Sequence, residues 1–283
     1  MLRIAVQSKG RLFDETMSLL AETGIKIENG KRLLLLPAKN FPLEVLFLRD
    51  DDIPRSVAEG VADAGIVGEN ECVEKAENVL TVKRLGFSRC RLSLAVPKET
   101  NYTGFEWFDG KIIATSYPEI LQKALAERNV KADIRVISGS VEIAPNIGFA
   151  DAIFDIVSSG STLVTNHLKE VETLMKSEAL LVRNPNLTAD KMNILNELLF
   201  RIEAVQMAED KKYVLMNVPT ENIKKITEVL PGIKSPTIMP LAKEGWNSLH
   251  AVIDEKSFWD IIGKLKTLGA EGILVVPIEK MIL

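Results

Sequence analysis

The chain has 283 residues, a length that predicts about two domains and admits three small ones. Hydrophobic residues make up 46% and charged residues 26%, which excludes a disordered chain. With 35 basic and 39 acidic side chains the formal net charge is −4, so no basic excess points to nucleic acid.

Residues 2–6 predict a strand, Ser8-Lys9-Gly10-Arg11 a turn, and 12–22 a helix ending near Gly24. A strand at 43–48 precedes a helix at 53–61, with Asp52 as its candidate cap, and 64–67 reads as a short buried strand closed by Gly68. The order then returns: strand 111–115, turn 116–118, helix 119–128, strand 134–137, a short helical stretch at 143–148 and strand 153–157. Ala62-Asp63-Ala64 before one strand echoes Ala150-Asp151-Ala152 before another. The pattern is α/β: two similar lobes, each opening strand–turn–helix, with a cleft expected between them. Residues 163–168 read as a helix, and 186–210 as a long one with apolar positions at Met192, Leu195, Leu198, Leu199, Ile202 and Val205. After a linker at 209–212, strand 213–218, a helix from Thr220 to Pro231-Gly232, strands 237–241 and 248–253, helix 255–268 and strand 272–276 give a ferredoxin-like β-α-β-β-α-β unit.

The most informative stretch runs from Asp151 to Thr162. A strand carrying Asp155 opens into Ser158-Ser159-Gly160-Ser161-Thr162, where a helix is expected to begin. Amides and hydroxyls at such a turn suit an anion, and Gly160 permits close approach. With a carboxylate from Asp155 or Asp151 for sugar hydroxyls, the set describes a 5-phosphoribosyl site; serines that merely cap a helix are the alternative. Lys9, Arg11 and Arg49 follow strands, where an open sheet borders its ligand, and suit phosphates as well as plain surface charge. Asp50-Asp51-Asp52 is compatible with magnesium or with helix capping. Tyr117 suits an adenine ring or the core, and Glu142 a substrate base or the surface. His167, His250, Cys72 and Cys90 share no metal-ligand or triad spacing. Two cysteines, no apolar N-terminal core and no apolar run longer than about Leu33 to Leu36 set the expectation of a cytoplasmic protein without a membrane partner.

Taken together, Gly10-Arg11-Leu12, Arg49-Asp50-Asp51-Asp52-Ile53-Pro54, Gly65-Ile66-Val67-Gly68-Glu69-Asn70, Arg89-Cys90-Arg91-Leu92, Ala114-Thr115-Ser116-Tyr117-Pro118, Gly139-Ser140-Val141-Glu142, the 151–163 stretch, Ser235-Pro236-Thr237-Ile238 and Pro277-Ile278-Glu279-Lys280-Met281 resemble the long form of ATP phosphoribosyltransferase over the full length. The resemblance implies two periplasmic-binding-protein-like (type II) lobes around a central cleft, residues 1–96 (completed by about 181–208) and 97–180, with a regulatory domain at 211–283. It implies transfer of 5-phosphoribosyl from 5-phosphoribosyl 1-diphosphate (PRPP) to N1 of ATP with Mg2+, the first step of histidine biosynthesis. Dimers and hexamers are implied too. It places the 5-phosphate at Ser158, Ser159, Gly160, Ser161 and Thr162, the ribose at Asp155 and Asp151, and ATP or pyrophosphate near Lys9, Arg11, Arg49 and Tyr117. Asp155, Arg49 and Glu142 are the implied catalytic set. Feedback histidine would meet Asn217, Ile233, Thr237 and Gly272, although some relatives carry an acid where Asn217 stands. A prephenate-dehydratase-like lyase and a non-catalytic amino-acid receptor are the competing readings; the first needs no phosphate loop and the second releases no pyrophosphate.

Overall fold

The computed structural model describes residues 1–27, 34–230 and 235–282. The chain divides into two compact units: Met1–Ala21 with Ile25–Leu195, and Glu22–Gly24 with Asn196–Leu283.

The first unit holds both lobes. Lobe I begins with β1 (Leu2–Gln7), α1 (Arg11–Glu22), β2 (Leu35–Pro37), β3 (Leu43–Leu48), α2 (Ile53–Ala58), β4 (Ala64–Gly68), α3 (Glu69–Lys75) and β5 (Leu80–Arg84). Lobe II follows with β6 (Cys90–Pro97), β7 (Ile112–Thr115), α4 (Pro118–Glu127), β8 (Asp133–Val136), β9 (Ala152–Val157), α5 (Ser161–Thr165) and β10 (Leu168–Ser177). The chain returns to lobe I in β11 (Ala179–Arg183) and enters α6 (Ala189–Ala208). One sheet has the order β2-β3-β1-β4-β11-β5 and the other β10-β6-β9-β7-β8. Leu2, Ile4, Ala5 and Val6 are all fully buried, as a central strand covered on both faces requires. Because β1, β3 and β4 run parallel, as do β7, β8 and β9, their following loops gather at one edge of each sheet.

The alanine–aspartate echo has a shared structural cause. Asp63 donates its N–H to the Arg3 carbonyl (2.9 Å) and accepts the Arg3 N–H on its carboxylate (2.8 Å). Asp151 does the same with Ile112, at 2.8 and 2.9 Å. Each aspartate thereby ties the start of one strand to the start of its parallel neighbour.

Several elements differ from expectation. The helix expected at 53–61 stops at Ala58, where Gly60 turns at φ +76° and the Asn184 side-chain amide donates to the end carbonyls of Val57 and Ala58. The helix expected at 163–168 is α5, which ends when Asn166 bonds back to the Thr162 carbonyl with backbone and side chain; Leu168 opens β10 instead. Strands β2, β5, β6, β10 and β11 and helix α3 fall where the sequence reading assigns nothing.

The second unit contains β12 (Lys211–Pro219), α7 (Ile223–Val229), β13 (Thr237–Pro240), β14 (Trp246–Asp254), α8 (Glu255–Thr267) and β15 (Glu271–Pro277), in sheet order β13-β14-β12-β15. This is the expected β-α-β-β-α-β succession, although residues 231 and 232, the expected helix end, lie outside the described residues. Val214, Met216, Val218, Leu249 and Ile253 alternate inward and pack on Ile226, Phe258 and Leu265 of the helices. On the other face Tyr213 Oη and Ser248 Oγ each lie 2.8 Å from a ring nitrogen of His250.

Candidate functional site

The loop after β9 is built by Gly160, which adopts φ +81° at the N-cap of α5. Ser159 and Ser161 hydroxyls meet at 2.9 Å across it. Ser158 and Ser159, with Thr162, stand exposed along a cavity of about 130 Å³ whose walls include Asp155 and Glu142. Six expected site residues, Glu142, Asp155, Ser158, Ser159, Gly160 and Thr162, therefore share one hollow, and Ser161 borders it through Ser159. Burial pushes the Asp155 carboxyl up to about 6; the Ile156 N–H opposes this by donating to it at 2.8 Å, and the Glu142 charge adds to it.

Arg11 reaches this loop from lobe I. Its guanidinium donates to Ser158 Oγ (2.6 Å) and to the Arg89 carbonyl (3.0 Å). Arg91 donates to the Ser158 carbonyl (3.0 Å) and pairs with Glu170 at 2.5 Å, which holds that carboxyl down near 2. Lys9 is exposed at the end of β1, and Arg49, three-quarters exposed, lies 3.3 Å from Asp51. Arg89 and Arg91 are contributions that the sequence reading missed; their signal is a basic pair entering a strand beside a crossover. With Arg84, Lys176, Glu69 and Glu178 they line a larger hollow of about 440 Å³, which Ser158 also borders.

Two expected ligand contacts do not line the hollow beside Asp155. Asp151 lies at the opposite end of β9 from the loop, about 13 Å from Asp155 at strand spacing, and its carboxylate is occupied by the Ile112 N–H. Tyr117 is 8% exposed in the core of lobe II, packed with Leu121 and Phe154. Its hydroxyl meets Asn70 (3.4 Å) and Glu71, and burial followed by the Glu71 charge holds its proton far above the ordinary tyrosine range.

The acidic run 50–52 forms a 3₁₀ turn rather than a side-chain cap for α2. Asp50 accepts the Asp51 N–H (3.1 Å) and the Gln7 amide (3.4 Å), while Asp51 faces Arg49. Among the described residues no three His, Cys, Asp or Glu side chains converge as a metal cage. In the second unit Asn217 and Gly272 adjoin, since a Cβ on Gly272 would lie 3.2 Å from Asn217 Nδ2. Thr237 is two strands away across β14, about 10 Å at sheet spacing, and Ile233 lies outside the described residues. No helix among the described residues is long and apolar enough to cross a membrane.

The family model described as HisG, ATP phosphoribosyltransferase, matches residues 49–204, and that of the HisG C-terminal domain matches 208–280. A protein of Phocaeicola vulgatus named ATP phosphoribosyltransferase is 70% identical over 283 residues, and one of Parabacteroides distasonis with the same name is 71% identical over 282; coverage is 100% of both chains in each case. Among solved structures, the ATP phosphoribosyl transferase (HisG:HisZ) complex from Thermotoga maritima aligns with TM-score 0.62 and 29% identity, over 72% of this chain and 99% of that one. A putative L-cystine ABC transporter from Listeria monocytogenes aligns with TM-score 0.50 and 16% identity, over 74% and 92%, a likeness of fold that identifies the periplasmic-binding-protein-like lobes. Carrying both the two-lobe unit and the C-terminal domain of these matches, the chain is an enzyme of the ATP phosphoribosyltransferase family.

Proposed function

We propose that the enzyme transfers the 5-phosphoribosyl group of PRPP to N1 of ATP, as the first step of histidine biosynthesis in the cytoplasm. The nitrogen lone pair forms the new N–C bond at the anomeric carbon. The C–O bond to pyrophosphate breaks on the opposite face, its electron pair leaving on the pyrophosphate oxygen, so the centre inverts. Family membership displaces the dehydratase-like and receptor readings.

The observation that carries this proposal is the shared hollow in which the hydroxyl loop at 158–162 faces Asp155 and Glu142. The loop would hold the 5-phosphate, with Asp155 accepting hydrogen bonds from the ribose hydroxyls and Glu142 orienting the incoming base. Arg11, already bonded to the loop, would face the departing diphosphate, with Lys9 and Arg49 supplying charge toward the ATP phosphates. Catalysis needs no protein nucleophile; it comes from aligning two anionic substrates. Magnesium, when bound, neutralises phosphate charge. Histidine would bind the C-terminal unit near Asn217 and Gly272, with Thr237 and Ile233, and inhibit from there, in a homo-oligomer.

Pyrophosphate release from ATP and PRPP, followed with and without histidine, tests the whole reading. Release that requires both substrates and declines with histidine supports it. Tight PRPP binding without any release overturns the transfer reaction.

A further inference from the structure

Helix α3 wears its polarity inside out. Its buried residues are Asn70, Glu71 and Glu74, at 4%, 5% and 6% exposure, while Val73 is 47% exposed. Positions 70, 71 and 74 lie along one side of a helix. Polar groups persist in such burial only where bonds satisfy them. Here those bonds cross between lobes. The Glu74 carboxylate accepts the N–H groups of Glu119 and Ile120, both at 3.0 Å. These amides belong to the first turn of α4, where N–H groups have no partner within the helix, and α4 has no side-chain cap of its own. Ser177, at the end of β10, donates to Asn70 Oδ1 (2.8 Å) and accepts the Asn70 N–H (3.1 Å). Glu71 accepts the Asn70 amide (3.1 Å) and bonds the hydroxyl of Tyr117.

We propose that α3 is a clamp between the lobes and that Glu74 is a positioning residue for the transfer. The proposal rests on the reaction proposed above. Lobe II carries the loop and Asp155, whereas lobe I carries Lys9 and Arg49, so each substrate has its main anchor on a different lobe. The reacting atoms must be brought to about 3–3.5 Å, and a misplacement of about 1 Å costs roughly 100-fold in rate. Three points of attachment through one short helix leave the lobes little freedom to separate. Cutting them would leave each anchor intact and spoil the alignment, so turnover falls while binding persists.

The test uses the full-length enzyme, Glu74→Gln and Ser177→Ala, with steady-state pyrophosphate release and hydrogen exchange at the α4 first-turn amides. For Glu74→Gln the expected result is a kcat decrease of about 10- to 100-fold. The KM for ATP and for PRPP should stay within about twofold in the same variant, the pattern of an interaction expressed only in the transition state. The amides of Glu119 and Ile120 should exchange faster. Ser177→Ala, which cuts a different attachment, should show a smaller kcat loss of the same kind. Faster exchange with unchanged kcat, or a raised KM at constant kcat, overturns the proposal. If Glu74→Gln does not fold, wild-type kcat in Ser177→Ala overturns it alone. An inactive wild-type enzyme overturns the reaction itself and takes the positioning claim with it, an outcome distinct from an active enzyme with an unmoved kcat.

Discussion

Asp155 shows how burial ties chemistry to pH. Its carboxyl is raised to about 6, so below that pH it holds a proton and accepts ribose hydroxyls poorly. The rate should therefore fall as pH drops through about 6, and Asp155→Asn should lack this limb while losing about 10- to 100-fold in kcat, the worth of hydrogen bonds to a charged group. Stability moves the other way. The folded chain retains the proton longer than the unfolded one, so Asp155 costs stability progressively as pH rises from about 4 to about 6 and fully above. At pH 8 the asparagine variant should melt no earlier than wild type; equal losses of kcat and Tm would sink the ribose role. Gly160→Ala introduces a left-handed alanine, at about 1–2 kcal/mol, although its Cβ would meet only Val157 Cγ1 at 3.9 Å. Denaturant titration should show that loss together with a raised KM for PRPP. The loop and Asp155 were readable because glycine, hydroxyls and an acid fall in one run of sequence. The side chains of Tyr117 and Asp151 meet partners distant in the chain, Glu71 and Ile112, which no local pattern reports.

At the level of the elements, α3 joins structure to pH through Glu71. Burial, reinforced by the Asp50 charge, raises its carboxyl to about 7, against the pull of Tyr117. Between about pH 4.5 and 7 the folded state binds the extra proton, so this group's contribution declines across that window and its full cost stands above it. Glu71→Gln should flatten that part of the stability–pH curve measured by urea unfolding; a curve parallel to wild type would refute the assignment. This helix was invisible in the sequence because its buried side is polar, which no hydrophobic period can report. Edge strands β5 and β10 were hidden for a related reason: their half-exposed faces carry charge, as in LTVKR and LKEVETLMKS. The central strands β1, β4 and β9 were legible because both of their faces are covered.

For the whole molecule, the order of elements in both units followed from apolar period and turn residues, while the lobe-crossing path through β6, β10 and β11 did not. Such pairings join residues some 80 positions apart, and local pattern carries no trace of them. The proposed histidine response can be examined in the intact chain. Asn217→Asp adds a carboxylate beside Gly272. It should lower the histidine concentration for half-inhibition about fivefold, the worth of roughly 1 kcal/mol from a partly exposed ion pair. Superimposable inhibition curves would remove Asn217 from the effector contacts. The twin aspartates, Asp63 and Asp151, sit at the strand ends remote from the proposed ligand edge. Under the proposed reaction, sturdiness and reactivity are written at opposite poles of each sheet, and someone wishing to toughen this catalyst has a pole to rebuild that lies away from the proposed chemistry.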